Sequence, residues 1–584
     1  MNDSIKQLNI SVKFRAFLEN LSEQAFKTDR LPFIGREKEI ELVLETLMRR
    51  LKHNVLLVGE SGVGKTALIT EVAARINQGK VPPPLIGKII LEFSLNRFFY
   101  SRDSGKVLLK DLEQFLSEIM GNKYSVILFL DEMQLHSVPE SEKMNWQEQV
   151  HTVLRSYVTD REMSIITTAT PENYYKTIKN DEILALNFCP ILIDEPNPTE
   201  MLDILKGVAP YFEHYYSLTV PDHLFERIVY LLQKFTPHRS FPHKAIDLLD
   251  VCCSRVALKQ RQQLDIEIIY QSISDIVRLP IDVVKLDPIQ HRLNIHEFLE
   301  SKMVNQREAI EEISRIIKLS GLESEMRKSR PEGIFLFLGV PGVGKSFMAR
   351  KLAEYLFGSK EKLRVIDLAS YKQPEDFKKL VGDTKAKPGL LIEEVDAHPF
   401  SVIFFEHIDM AEESVLNMLG KTLVNSEIID AAGKKHHISN IIFILSLTSV
   451  GEEKIETPIG FITDKMVRCE ITIAPKINNL LDWVDEIIHF TPLAEEDLQE
   501  IANSKMNDIT IEIKEKYNTD VFVGDGVFSN ISQESIVEGG FAHTVAEKLD
   551  RQIKHRLLDM INKVPRNQKF EVTMKNNEIK IMSK

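Results

Sequence analysis

Cysteine is scarce: the 584 residues hold four, Cys189, Cys252, Cys253 and Cys469, and none stands in a C-x-x-C pair. That excludes a disulfide scaffold and a cysteine-built zinc site, and the adjacent Cys252 and Cys253 are poor candidates for a bridge. A reducing, cytoplasmic setting is expected. Long apolar runs are missing too. The longest, such as Ile441 to Leu445, fall far short of the roughly 18 residues of a membrane span. The start, Met1-Asn2-Asp3-Ser4, has neither a basic n-region nor an apolar h-region, so a soluble, unsecreted chain is expected. Basic excess is also absent, with 73 Lys and Arg against 86 Asp and Glu and a net charge of −13. With no aromatic-basic run for strand binding, this balance argues against a nucleic-acid partner. What remains is 43% hydrophobic and 27% charged, which rules out a mainly disordered chain and, at this length, predicts several domains.

An internal repeat organises the sequence. The apolar run Asn54-Val-Leu-Leu-Val58 leads into Gly59-Glu-Ser-Gly-Val-Gly-Lys-Thr66 and then into Ala67 to Ile76, with Leu68, Ile69, Val72, Ala73 and Ile76 at helical spacing. The same strand, loop and helix recur as Ile334-Phe-Leu-Phe-Leu338, Gly339-Val-Pro-Gly-Val-Gly-Lys-Ser346 and a helical run ending at Gly358. Each module then shows a second apolar strand ending in acid: Val126-Ile-Leu-Phe-Leu130 before Asp131-Glu132, and Val402-Ile-Phe-Phe405 before Glu406-His407. Alternating strands and helices predict an α/β fold with a parallel sheet in each module. From Pro196 the pattern turns helical, as a small lid, and Phe570 to Met582 alternates around Asn576-Asn577 as a hairpin would.

G-x-x-x-x-G-K-[ST], twice in strand-loop-helix context, is a phosphate cradle. Gly59, Gly62 and Gly64, and Gly339, Gly342 and Gly344, let backbone N–H groups close on phosphate oxygens at a helix N-terminus. Lys65 and Lys345 would reach the β and γ phosphates of ATP, while Thr66 and Ser346 would offer hydroxyls to Mg2+. Asp131 and Glu406 would complete the Mg2+ shell, and Glu132 would polarise the attacking water. Hydrolysis is therefore chemically open to the first module. In the second, His407 stands where Glu132 stands in the first, so nucleotide binding is expected to outlast hydrolysis. Two alternatives for His407 stay open: a neutral imidazole base, or a packed side chain without chemical duty.

Phe33-Ile-Gly-Arg-Glu-Lys-Glu39, the first phosphate loop, Leu128-Phe-Leu-Asp-Glu132 and Lys244-Ala-Ile-Asp-Leu-Leu-Asp250 resemble the first ATPase ring of the Clp family of AAA+ unfoldases, in its ClpA/ClpC-like branch. Ile334 to Ser346 and Val484-Asp-Glu-Ile-Ile-His-Phe490 resemble its second ring, and the similarity runs over about residues 15 to 560. The resemblance implies two tandem AAA+ modules and a homo-oligomeric, hexameric ring acting on a protein substrate, with Ile34 beside the nucleotide and Thr170 as the first sensor. The expected organisation is an N-terminal arm over 1–32, a first α/β subdomain over 33–194, its helical lid over 195–278 and a linker over 279–302. A degenerate second α/β subdomain over 303–492 and a small subdomain over 493–584 follow. The family's N-terminal adaptor domain is not found before Phe33, and 250–303 leaves no room for a coiled-coil middle domain.

Other departures touch catalysis. The paired arginine fingers of the family should precede Phe188, where Leu186-Asn187 stand. By the same alignment Leu447 replaces the second sensor asparagine, Trp483 replaces the second finger, and Gly540-Phe541-Ala542 lacks the lid arginine. Phe98-Phe-Tyr100 either threads substrate or packs, whereas Gly382 to Gly389 carries no aromatic grip at all. Ile459-Gly460-Phe461 falls where protease-partnered members dock on ClpP. The readings that follow are an ATP-binding remodeller with one hydrolysis-capable module, a pseudo-ATPase scaffold, or an unfoldase coupled to a ClpP-like protease.

Overall fold

The computed structural model describes residues 8–25, 30–100, 105–131, 150–159, 163–322, 330–383, 387–425, 427–430, 435–448, 478–524, 526–537, 541–561, 569–575 and 578–583. It divides into two units, Met1–Val277 and Arg278–Lys584.

The first unit is built on a six-stranded sheet of β1 (Leu18–Asn20), β2 (Asn54–Val58), β3 (Ile89–Phe93), β4 (Val126–Leu130), β5 (Ser164–Ala169) and β6 (Phe188–Leu192), in the order β1-β3-β4-β5-β2-β6. All neighbours are parallel except β1, which runs against β3. Every residue of β2 is buried, because both faces of a parallel sheet are covered by helices. Val55 and Leu57 join one core with Ile40 and Leu68, while Leu56 and Val58 join the other with Phe115 and Leu154. The segment expected as an arm is partly built in. Phe14 is fully buried, its ring 5.5 Å from that of Phe115 and 6.3 Å from that of Phe98. Phe98 therefore packs: it is fully buried at the centre of this aromatic group, 5.3 Å from Phe93. Four helices, Pro198–Tyr216, His223–Phe235, His243–Leu258 and Ile266–Val277, follow as the lid. The first opens with Pro198 after a capping box of Asn197 and Glu200, a strong start signal.

The second unit repeats the arrangement with β7 (Gly333–Gly339), β8 (Leu363–Asp367), a two-residue pair β9 (Gly382–Asp383) and β10 (Lys387–Pro388), and β11 (Ser401–Glu406). The hairpin β12 (Glu427–Ile429) and β13 (Lys435–His437) precedes β14 (Ile441–Thr448) and β15 (Glu486–His489). The main sheet has the order β15-β7-β14-β11-β8 and is entirely parallel, which is the first sheet without its β1 edge. Residues 279–302, expected as a linker, are largely helical, and His291 stacks 4.1 Å from Tyr355 on the helix Lys345–Phe357. The small subdomain joins the helix Glu495–Tyr517 to a three-stranded sheet of β16 (Asp520–Val523), β17 (Lys569–Lys575) and β18 (Glu578–Ser583). β17 and β18 form a hairpin whose last pair is Lys575 with Glu578.

Trp483, at the expected finger position, packs inward on Gly420 of the helix Glu413–Leu423. A Cβ on Gly420 would lie 1.5 Å from the indole Cε3, and Arg330 holds the Trp483 carbonyl at 3.2 Å. Gly420→Ala should therefore destabilise the second unit by about 3 kcal/mol or more through overpacking. A denaturant midpoint equal to the parent's would refute this.

Candidate functional site

β2 and β7 each end in a loop that turns directly into a helix, Lys65–Asn77 or Lys345–Phe357. Gly62, Gly64, Gly342 and Gly344 have φ of 90°, 96°, 77° and 105°, a left-handed backbone that glycine adopts without a Cβ penalty. Lys65 and Lys345 are buried, and each ammonium donates to two carbonyls of its own loop: Gly59 and Glu60 at 2.8 and 3.0 Å, Gly339 and Val340 in the second module. Burial lowers the Lys345 pKa to about 8 despite the nearby charges of Asp409 and Glu406. A negatively charged phosphate would reverse that cost.

The helix-start hydroxyl meets the strand-end carboxylate in both modules. Thr66 Oγ1 donates to Asp131 Oδ2 at 2.9 Å, and Ser346 Oγ to Glu406 Oε1 at 3.2 Å. Hard oxygen donors of this kind, beside a phosphate cradle, fit Mg2+. Among the described residues no cluster of three or more His, Cys, Asp or Glu competes as a metal site. The other oxygen of Asp131 accepts from Thr168 Oγ1 at 2.6 Å. Thr168 escaped the sequence reading, although Thr167-Thr168 at the end of a fully buried strand was a visible signal. Just across from Asp131, burial and the charges of Asp131 and Glu19 push Glu92 up to about 7.

Strand register aligns the two sites residue by residue. Val58 pairs with Ala169, and Gly339 with Thr448. With Val58 equivalent to Leu338, Thr170 corresponds to Thr448, and Leu447 corresponds to Ala169. The residue of the second module that answers Thr170 is therefore Thr448, one position beyond the expected Leu447. Thr170 itself caps the short helix Pro171–Asn173 through the Asn173 N–H at 3.3 Å.

His407 is neither packed nor solitary. It is 43% exposed, held in the left-handed region at φ 54°, and its Nδ1 lies 2.9 Å from Asp367 at the end of β8. Asp367 is lowered from its ordinary range by the Ala369 N–H and by His407. Glu132 lies outside the described residues, as do Ile459-Gly460-Phe461, Cys469 and Gly540. At the first finger position Leu186 is 73% exposed, and Asn187 Nδ2 is turned back onto the Ile183 carbonyl at 2.8 Å.

Each loop is also clamped from before and after. Arg36 reaches the carbonyls of Val63 and Asp194 at 3.4 and 2.5 Å, and Gln306 reaches those of Val343 and Thr491 at 3.4 and 2.9 Å. Gln306 was missed in sequence, although Val304-Asn-Gln-Arg-Glu-Ala-Ile310 echoes Ile34-Gly-Arg-Glu-Lys-Glu-Ile40. Ile34 packs on the lid at Gly207, where a Cβ would lie 2.6 Å from its side chain. The lid closes onto the second glycine of the loop in each case: His243 N–H donates to Gly62 O at 3.3 Å, and Ala542 N–H to Gly342 O at 3.1 Å.

Two phosphate-loop α/β modules, each with a following subdomain docked on its loop, define a tandem AAA+ protein. Residues 32–92 match the AAA ATPase domain, 197–291 an AAA lid domain and 330–481 the AAA domain of the Cdc48 subfamily. The chain is homologous to the Clp-type ATPases: it is 25% identical to the ATP-dependent Clp protease ATP-binding subunit ClpL of Staphylococcus aureus, over 97% of this chain and 88% of that protein. In fold it is similar to the S. cerevisiae Hsp104–ADP complex, with a TM-score of 0.71, 23% identity and coverage of 96% of this chain and 98% of that one. It is also similar to S. cerevisiae Hsp104 solved with casein in an extended conformation, with a TM-score of 0.61 and 22% identity over 97% of this chain and 99% of that one. Among the described residues, no helix is long and apolar enough to cross a membrane.

Proposed function

We propose that the chain is an ATP- and Mg2+-binding remodeller of protein partners, assembled in the cytoplasm as a ring of its own copies, in which only the first module is equipped to hydrolyse. One observation carries this reading. The hydroxyl–carboxylate pair and the buried lysine occur in both modules, while the glutamate of Asp131-Glu132 is answered in the second by a histidine tied to Asp367. Lys65, Thr66 and Asp131 hold phosphate and Mg2+ in the first site, with Ile34 against the base, Glu132 as the base toward water and Thr170 as sensor. Lys345, Ser346 and Glu406 do the same binding work in the second. Bound Mg2+ supplies charge neutralisation along the phosphates. Its relatives, the ATP-binding subunit of an ATP-dependent Clp protease and an Hsp104 that holds casein, point to a polypeptide substrate and to a protease partner, and Ile459-Gly460-Phe461 is the segment proposed to meet such a partner.

Calorimetry tests the binding half. The parent should bind two ATP equivalents, and Lys65→Ala and Lys345→Ala should each lose one; a parent with a single site would refute the reading for one module. Thr168 is proposed as the positioning residue of Asp131. Thr168→Val should raise the Mg2+ concentration for half-maximal turnover by about 10-fold or more, as loss of an outer-shell partner does. Thr168→Ser should restore it, and an unchanged Mg2+ profile in the valine variant would remove the role.

The second reading, a non-hydrolysing scaffold that joins a larger machine, is favoured by the exposed Leu186 and the inward Trp483. Steady-state turnover of the chain, alone and with partners, separates the two.

A further inference from the structure

We propose that Phe541 is a latch that holds the small subdomain of the second module on its phosphate loop whatever nucleotide is bound, so that this lid adds no preference for ATP over ADP. The inference rests on the reading that the second module binds nucleotide. Phe541 is the last residue before the helix Ala542–Leu549, as Pro242 is the last before His243–Leu258 in the first module. Its ring lies directly on Gly342: a Cβ on that glycine would meet the Phe541 Cβ and Cδ1 at 2.5 Å. The following N–H, that of Ala542, donates to the Gly342 carbonyl. The Phe541 ring also stacks on His543, 5.3 Å away and 12° from parallel. Phe490 closes the opposite end of the same loop, its Cβ 2.9 Å from where a Gly339 Cβ would stand. In the first module the matching contacts come from Ile193 and His243, so the aromatic box is particular to the second.

The physical argument concerns what such a contact can sense. A cation on the lid is drawn in by phosphate charge, and its grip changes when a phosphate is lost. A ligand can shift an equilibrium only by its differential affinity for the two states. A phenyl ring packed on a glycine Cα carries no charge and reads none. Lid docking here is therefore independent of the γ-phosphate, so that group is read by the loop's own Lys345 and Ser346 alone and the lid adds no preference for ATP over ADP. The second module then holds nucleotide as a fixed ligand, stabilising its unit by mass action.

The test uses the full chain with Lys65→Ala, so that only the second site binds. Phe541→Ala should weaken the affinities for ADP and for ATPγS by the same factor, within about threefold, and Phe541→Leu should restore most of the binding. A change of about tenfold or more in the preference for ATPγS on Phe541→Ala would overturn the proposal. So would an alanine variant with both affinities unchanged. Amide exchange without nucleotide tests the latch apart from binding: Phe541→Ala should speed exchange over Ala542–Leu549 relative to both the parent and the leucine variant. Unaltered exchange there removes the latch; failure of the Lys65→Ala chain to bind any nucleotide removes the underlying reading instead.

Discussion

Glu132→Gln should lower ATP turnover by about 10²–10⁴-fold, the loss expected when a general base is removed, while leaving both ATP equivalents bound. The carboxylate that follows Asp131 sits one residue beyond the Mg2+ position. Its substitution by an isosteric amide leaves the phosphate cradle, Lys65 and the Thr66–Asp131 pair in place. Phosphate release under saturating ATP gives the rate, and calorimetry gives the stoichiometry. Because His407 is turned onto Asp367, the second module is not expected to supply residual turnover. His407→Ala in the Glu132→Gln background should change nothing further. Parent-level turnover in Glu132→Gln would transfer the chemistry to the second module, and a further fall on adding His407→Ala would assign it to the imidazole.

The parts most legible in the sequence were those where one physical demand fixes several neighbouring residues at once. A phosphate cradle needs glycines, a lysine and a hydroxyl at set spacing between an apolar strand and a helix, and Gly59 to Thr66 and Gly339 to Ser346 carry all of it. The α/β fold follows from those strands, since β2 and β7 are buried along their whole length. Contacts between distant segments left a fainter trace. Thr168 acts on Asp131 across two strands, and Gln306 clamps Thr491 across 185 positions. Neither pairing follows from local spacing. The counterpart of Thr170 shows the same limit, because a one-residue choice between Leu447 and Thr448 rests only on the register of β14 against β7. Phe98, aromatic in a segment suggestive of a substrate loop, was open to two readings. Its burial against Phe14 and Phe93 depends on a strand, β1, too short to announce itself.

The remaining large effect concerns the two expected arginine positions, which hold Leu186-Asn187 and Trp483 instead. Charge accumulates on the transferring phosphoryl group, and an arginine reaching in from a neighbouring subunit can contribute about 10³–10⁵ in turnover. At the first position the helix Glu182–Asn187 ends in Leu186, which is 73% exposed, and Asn187, which is spent on its own helix. At the second, Trp483 has become an internal anchor against Gly420. The two positions thus differ in what they can recover. Arginine at 483 would lose the indole packing on Gly420 and set a charge at a half-buried position beside apolar neighbours, so Trp483→Arg should destabilise the unit before it rescues anything. Leu186→Arg costs little, since the side chain already stands in solvent. If copies of the chain assemble in a ring with the first site at the subunit boundary, Leu186→Arg should raise turnover by ~10²-fold or more, approaching the range of a positioned arginine. The gain should vanish in Glu132→Gln and on dilution of the assembly into single chains, which size chromatography with and without ATP would follow. A partner-free parent that already turns over as fast as Leu186→Arg would show that another cation reaches the site, and the finger position would have to be sought elsewhere on the first module.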